Sequence, residues 1–466
     1  MTTRHPLRTR TRVACATALL VVAGALPTSS AAADTDPVHL DGRLPSGATY
    51  AMDVPAHWNG TVLLFSHGYR DARGPNPAEV APDAATRALL LRDGYALIGS
   101  SYATAGWAVT DAVPDQLATL TAFTERFGTA TRTVAWGRSY GGLVTTALAE
   151  RAPRRIDGSL SLCGLVQGGV ANWNNTLDPV FALKTLLAPD ADLPLVDIAD
   201  QTAATEAADE LTAAVDAAQT TPEGRARIAL AAALHNIPVW NDTTQPRPDP
   251  TDRDARQANQ YQAVKGLLKV AAFNWRQEAE TRAGGNMSWN TGVDYARLLA
   301  RSSVREEVTE LYDKAGLSLG KDLATLRTAP RVSADPDAVA WMSRTSSFTG
   351  RLRKPQLSVH TVGDALIPAQ AESALRRAVG AAGATPLLRQ AYTDNAGHCT
   401  FSPAEHLAAL HALEDRLTTG AWHGTDPDSL NARARAADPT TPTRYVPYRA
   451  TPYPRPYDLA HPADAR

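Results

Sequence analysis

Glycines bracket a single serine in the run TVAWGRSYGGLV, Thr133–Val144, where Gly137-Arg138-Ser139-Tyr140-Gly141 satisfies the pattern G-x-S-x-G. A serine hydroxyl is a weak nucleophile until a base takes its proton, and that base needs an acid to hold it in the right tautomer. The pattern therefore asks for an Asp or Glu and then a His further along the chain. Asp364 in HTVGDALIP and His398 in DNAGHC supply them, each just after a run of strand character. Other histidines have structural readings: His360 lies within a strand, His406 and His411 on a terminal helix, His57 in a polar turn and His67 in the SHGY loop. Asp394 is the rival acid, but it shares a loop with His398 and is poorly placed to reach the imidazole from the strand side. Acyl chemistry also needs donors aimed at the developing oxyanion. The backbone amides of Tyr69, which follows the His-Gly of FSHGY, and of Tyr140 are the candidates.

Such a serine works from a sharp turn between a strand and a helix, where flanking glycines let the two backbones approach and strain holds the hydroxyl in the open. TRTVAW before Ser139 and LVTTALAERA after it read as that strand and helix. Around them, β-rich runs such as TVLLFSHGY and YALIGSSY alternate with helical ones, which implies βαβ units and a mostly parallel sheet. From residue 171 to 350 the chain turns Ala-rich with helical periodicity, broken by the polar loop NDTTQPRPDPTDRD. Strand character resumes at PQLSVHTVGDALIP. Residues 34–170 and 351–422 are therefore read as two parts of one α/β core, with 171–350 inserted as a helical cap. Trp173, Trp275 and Trp289 lie in that insertion as candidates to line a substrate pocket. The Pro/Tyr-rich tail, 423–466, is either an extended segment docked by its tyrosines or a segment without fixed structure. Arg138, beside the serine, must pair with a carboxylate or reach solvent; pairing is the favoured reading.

With 466 residues and 44% hydrophobic side chains, the chain has ample material for a globular core. The 46 basic and 48 acidic residues leave a net charge of -2, without a long basic block outside the extreme N-terminus. That distribution gives no footprint for nucleic acid or an anionic membrane. Residues 1–33 combine an arginine-bearing start, an apolar stretch from Val13 to Leu26 and the small-residue site Ala31-Ala32-Ala33. The apolar stretch falls short of the ~20 residues a spanning helix needs, so it reads as a cleaved secretory signal rather than an anchor. The expected location is extracellular. Cys15 would leave with the peptide, and Cys163 and Cys399 would remain where disulfides persist. No cofactor and no metal are expected, since the chain holds no H-E-x-x-H, no Cys/His cluster and no phosphate-cradling glycine loop.

SHGY, GRSYGG, VGDALIP and AGHC, in this order, resemble the α/β-hydrolase superfamily. The resemblance covers the two core segments. It implies an eight-stranded, mostly parallel sheet and a two-step acyl-enzyme mechanism in which Ser139 attacks, His398 carries the proton and Asp364 holds the imidazolium. A serine at this position argues against the haloalkane dehalogenase and epoxide hydrolase branches, whose nucleophile is an aspartate. Within the superfamily the motifs are similar both to the prolyl-peptidase branch and to secreted esterases, although no N-terminal propeller repeat is visible. The His-Cys pair resembles tannases and feruloyl esterases, in which a cysteine beside the serine is bonded to one beside the histidine. Arg138 occupies that place in this chain, and the resemblance then points to Cys163, at the end of the next strand, as the partner of Cys399. The reading that results is a secreted serine hydrolase cleaving a small-molecule or polymeric carboxylic ester. The first rival is a serine peptidase releasing residues from peptide N-termini, which needs an acidic pair for the substrate ammonium; Glu278, Glu280 and Asp294 are candidates, though RQEAETR equally reads as a charged helix face. The second rival is a non-catalytic binding protein on the same fold.

Overall fold

Strand periodicity and short turns build one twisted sheet. The computed structural model describes residues 36–457; the stretch read as a signal peptide lies outside the described residues, as do 458–466. The strands are β1 (Val38–Arg43), β2 (Thr49–Val54), β3 (Thr61–Ser66), β4 (Ala96–Ser100), β5 (Arg132–Arg138), β6 (Gly158–Leu162), β7 (Gln356–Gly363), β8 (Leu388–Ala396) and β9 (Tyr445–Val446). They lie in the order β1-β2-β4-β3-β5-β6-β7-β8-β9. Strands β4 to β8 in that row pair in parallel, while β1, β2 and β9 are antiparallel. This is the α/β-hydrolase fold, with one short strand added from the tail. Every residue of β3, β4 and β6 is buried, as expected for parallel strands covered by helices on both faces.

The sheet register explains the two glycines around Ser139. Ser66 of β3 pairs with Gly137 of β5, and the elbow helix Tyr140–Arg151 turns back directly over that junction. A Cβ on Gly141 would fall 1.9 Å from the Ser66 carbonyl oxygen, and one on Gly137 would fall 2.6 Å from both that oxygen and the Gly141 carbonyl. No side chain fits at either position. Because β5, β7 and β8 run parallel, the residues that follow them emerge at one edge of the sheet.

Between β6 and β7 the described chain is helical. Local signals set these helices: Asp200 caps Gln201–Gln219 by accepting the amides of Thr202 and Ala203, while Thr221 caps Pro222–His235 with proline at the first helical position and left-handed Asn236 at the end. Small buried faces, including Ala204, Ala207, Ala208, Ala229 and Ala232, let the helices pack closely around Leu211, Leu230 and Phe273. One segment, Leu268–Trp275, is wound as a π-helix, a form that concentrates at functional sites. Among the described residues no helix is long and apolar enough to cross a membrane.

The C-terminal tail is docked, by its tyrosines and by one arginine. It forms a helix, Pro427–Ala437, then β9 with Tyr445 buried, then an extended strap in which Tyr453 is buried and the Tyr457 hydroxyl accepts from Ser343 Oγ at 2.9 Å. Arg455 reaches Asp178 in the helix Gly169–Leu187, at 3.0 and 3.1 Å, and the Trp289 carbonyl at 2.8 Å. Asp178 is fully buried, and burial raises its carboxyl above the usual range against the opposing pull of Arg455. Removing one partner of such a pair leaves the other buried without compensation, at about 3–5 kcal/mol. Arg455→Ala is expected to lower the unfolding free energy by that order in chemical denaturation, and Arg455→Ala/Asp178→Asn to recover part of the loss. A single variant as stable as the parent would show that the strap contributes nothing.

Candidate active site

Ser139 sits on the turn from β5 into the elbow helix at φ 57° and ψ −126°, a conformation disfavoured for any residue with a Cβ. Its amide donates to the Leu162 carbonyl of β6 at 2.9 Å, and its own carbonyl accepts from Gly142 at 2.8 Å. His398, in the loop after β8, brings Nε2 to 2.7 Å from Ser139 Oγ. Its Nδ1 lies 2.6 Å from Oδ2 of Asp364, in the loop after β7. Asp364 is buried, and its second oxygen accepts the amides of Leu366 and Ile367 at 3.0 and 2.9 Å. With one oxygen fixed by the backbone, the other is aimed at the imidazole. That contact assigns the proton to Nδ1 and leaves Nε2 free to accept from the serine. Asp394, the rival acid, instead pairs with Arg247.

Behind this line lies a buried group that periodicity alone did not single out. His360 of β7 is 3.6 Å from Asp364 Oδ2 and 3.2 Å from Glu372 Oε1, and its Nε2 donates to the Ile367 carbonyl at 2.8 Å. Burial opposes its charge, but the two carboxylates outweigh burial and raise its pKa. The sequence marks His360 as an inward strand residue; Glu372, on the following helix, carries no signal that the two meet.

The loop after β3 closes the other side. Gly68 lies so near that a Cβ there would stand 3.6 Å from Ser139 Cβ, and the amides of Tyr69 and Tyr140 donate to no backbone acceptor among the described residues. His67 is structural: its ring stacks on Tyr102 at 4.0 Å, its nitrogens face the Gly68 and Ser101 carbonyls at 2.7 and 3.1 Å, and burial pushes its pKa down to about 4. Cys163 and Cys399 form a disulfide with Cα atoms 5.4 Å apart, tying the end of β6 to the histidine loop across 236 residues of chain.

No protein-family model matches the chain. It is, however, 30% identical over 429 residues to o-phthalyl amidase of Xanthobacter agilis, an alignment covering 87% of this chain and 93% of the amidase. The chain belongs to the family of that amidase. Solved structures similar to it include feruloyl esterase B of Aspergillus oryzae, at 16% identity and TM-score 0.40, with 83% of this chain and 81% of that one covered. Brefeldin A esterase is similar at 15% identity and TM-score 0.36, over 89% of this chain and 81% of that one. So is the acylaminoacyl peptidase of Pyrococcus horikoshii, at 10% identity and TM-score 0.35, over 82% of this chain and 41% of that one.

The three tryptophans weighed as pocket residues have different surroundings. Trp173 is buried between Trp107, at 5.3 Å, and the Arg276 guanidinium, at 5.2 Å. Trp289 is buried beneath Tyr457 and Arg455. Trp275, at the end of the π-helix, packs against Tyr69 with ring centroids 4.3 Å apart and with it lines a cavity of about 370 Å³. The three acids weighed for a peptidase are all engaged. Glu278 accepts from Tyr69 Oη at 3.1 Å and the Trp107 amide at 2.8 Å and pairs with Arg282. Glu280 faces Arg276 at 3.4 Å and the Ile198 amide at 3.2 Å, and Asp294 caps the helix Tyr295–Arg301.

Arg138 departs from expectation. Its guanidinium pairs with no carboxylate among the described residues, although it is only half-buried and stands next to Ser139. The alternation of β5 explains where it goes: Trp136, two residues earlier, faces His406 of the helix Pro403–Thr419 at 6.3 Å. Arg138 projects on that same side, where, after burial itself, its charge helps depress His406 to about pKa 4 against Asp83. It remains accessible rather than locked in an ion pair.

Proposed function

We propose that this chain is a serine hydrolase cleaving carboxylic acyl bonds through an acyl-enzyme on Ser139. The observation that carries the reading is the continuous contact from Asp364 through His398 to Ser139, at 2.6 and 2.7 Å. In this mechanism Ser139 Oγ attacks the acyl carbon while His398 Nε2 takes its proton, and the Tyr69 and Tyr140 amides receive the oxyanion. The imidazolium, held by Asp364, returns the proton to the leaving group. Water then repeats the sequence on the acyl-enzyme and releases the acid. Carboxylic esters, small or polymeric, are the substrates the sequence motifs favour. Amides form the second reading, favoured by the o-phthalyl amidase relative, and the same steps serve both provided His398 protonates the departing nitrogen. Export is part of the proposal, supported by the signal-like first 33 residues and by a disulfide suited to an oxidising compartment.

The test is a matched panel of p-nitrophenyl esters and p-nitroanilides, including acyl groups with an ortho carboxylate of the phthalyl type. Turnover of at least one class is expected. Anilide turnover comparable to that of the matching ester assigns the amide reading, and ester turnover alone assigns the first. No turnover of either class by the folded, disulfide-bonded protein would overturn the proposal.

A further inference from the structure

Six arginines converge on one cleft of about 810 Å³ at the opposite pole from Ser139: Arg151, Arg154, Arg155, Arg344, Arg351 and Arg353. They come from two segments far apart in sequence. The first is the end of the elbow helix and the loop into β6; the second is the end of the helix Pro336–Ser346 and the loop into β7. Both loops precede parallel strands, whereas Ser139, Asp364 and His398 follow them, so cleft and serine lie at opposite edges of the sheet.

These guanidiniums are not neutralised from within. The guanidinium groups of Arg154, Arg344, Arg351 and Arg353 donate to no side-chain or backbone acceptor among the described residues, and none of the six forms an ion pair there. Arg151 donates to the carbonyls of Arg344 and Thr345 at 3.2 and 2.7 Å, and Arg155 to Leu117 O and Thr121 Oγ1 at 3.4 and 3.0 Å. Glu150 is the carboxylate lining the cleft, and both its oxygens are taken, by the Thr349 amide and hydroxyl at 3.0 Å and the Gly350 amide at 2.6 Å. Burial alone lowers the pKa of Arg151, with Glu150 opposing, yet a guanidinium stays charged. Six like charges gathered around the single carboxylate of Glu150 leave an excess of positive charge that an added anion would offset.

We propose that this cleft binds an oligophosphate, an anion with several closely spaced phosphate groups. Guanidinium forks grip phosphate oxygens two at a time, and guanidiniums around a concavity match a compact ligand of several charges better than a single carboxylate. The same phosphate chemistry is offered by a lipid headgroup, but a recess suits a soluble chain that can enter it. The site would hold the protein to such an anion while the serine edge faces away.

The experiment titrates the full chain with inorganic tripolyphosphate by calorimetry at low and at physiological ionic strength, beside vesicles containing phosphatidylglycerol. Expected is one tripolyphosphate per chain, with affinity falling steeply as salt is raised. Arg344→Gln/Arg351→Gln/Arg353→Gln should weaken it at least about tenfold while the ligand-free melting temperature holds or rises, because repulsion is relieved. Removing three exposed arginines elsewhere, Arg92→Gln/Arg301→Gln/Arg435→Gln, should leave binding within about twofold, which separates a site from net charge. Absence of tripolyphosphate binding at low salt, equal loss in both triple variants, or capture by vesicles alone would each overturn the proposal. The serine chemistry is not involved, so Ser139→Ala protein should bind equally well.

Discussion

Ser139→Ala is expected to lower kcat on any substrate the protein turns over by at least about 10⁴-fold, with residual rate only from oxyanion donors and binding. The reason lies in the contact geometry: His398 Nε2 meets a single hydroxyl, Ser139 Oγ, and alanine leaves the imidazole with nothing to deprotonate except water. The fold should tolerate the change, because alanine is no worse than serine at φ 57°. Ser139→Gly should go further. Glycine adopts that conformation without a Cβ penalty, so it should raise the unfolding free energy by about 1 kcal/mol while activity is lost. Stability rising as activity disappears is a pattern that a purely structural serine would not give. Mass spectrometry after a fluorophosphonate offers an independent check: the parent should carry one adduct, on Ser139, and the alanine variant none. Activity retained by Ser139→Ala, or an adduct on another residue, would remove Ser139 from the reaction.

What the sequence made legible was whatever a local pattern controls. The strand before Ser139 and the helix after it are read from a change of period, and the flanking glycines from the steric demand of the crossing, seen in the contacts that Gly137 and Gly141 make with Ser66. Parallel strands followed by Ser139, Asp364 and His398 bring three residues spread over 260 positions to one edge, because a parallel sheet puts all its strand ends together. Strand order thus substitutes for long-range information. The α/β class was legible for the same reason.

Properties that depend on how distant segments meet were not. Net charge near zero gave no footprint for nucleic acid or an anionic membrane, and it is silent on the local grouping by which the pairing of β6 with β7 gathers residues 151–155 and 344–353 into one basic cleft. Composition averages over the whole surface and cannot report where charge collects. The tail was ambiguous because its tyrosines and prolines are compatible with disorder or docking; buried Asp178, far away in sequence, is what makes Arg455 an anchor. Arg138 was expected to find a carboxylate rather than solvent because a guanidinium beside the nucleophile must do one or the other. Its strand instead points it toward His406, and no periodicity in the sequence says what waits there. The π-helix at Leu268–Trp275 is equally silent, since one extra residue per turn hardly alters a helical pattern, but it delivers Trp275 to Tyr69.

Asp364→Asn is the second large effect, an expected fall of about 10⁴-fold in kcat with KM nearly unchanged. The two carboxylate oxygens are not equivalent. Oδ1 accepts the amides of Leu366 and Ile367, so asparagine must keep its carbonyl oxygen on that side. Its NH₂ group then faces His398 Nδ1, where only a donor was accepted before. The imidazole can meet that group only by moving its proton to Nε2, and in this tautomer it can no longer take a proton from Ser139. Shape and burial are conserved, so the midpoint of thermal unfolding should shift far less than activity does. His360 adds a second consequence: with Asp364 neutral it loses one of the two carboxylates that raise its pKa, which leaves Glu372 as the main support for its charge. Asp394→Asn is the matched control, because its partner is Arg247 on the surface, and it should leave kcat within about twofold. Steady-state kinetics on one ester across pH 5–9 separates the cases. A loss below about tenfold in Asp364→Asn, or a comparable loss in Asp394→Asn, would mean that the acid behind His398 has been misassigned.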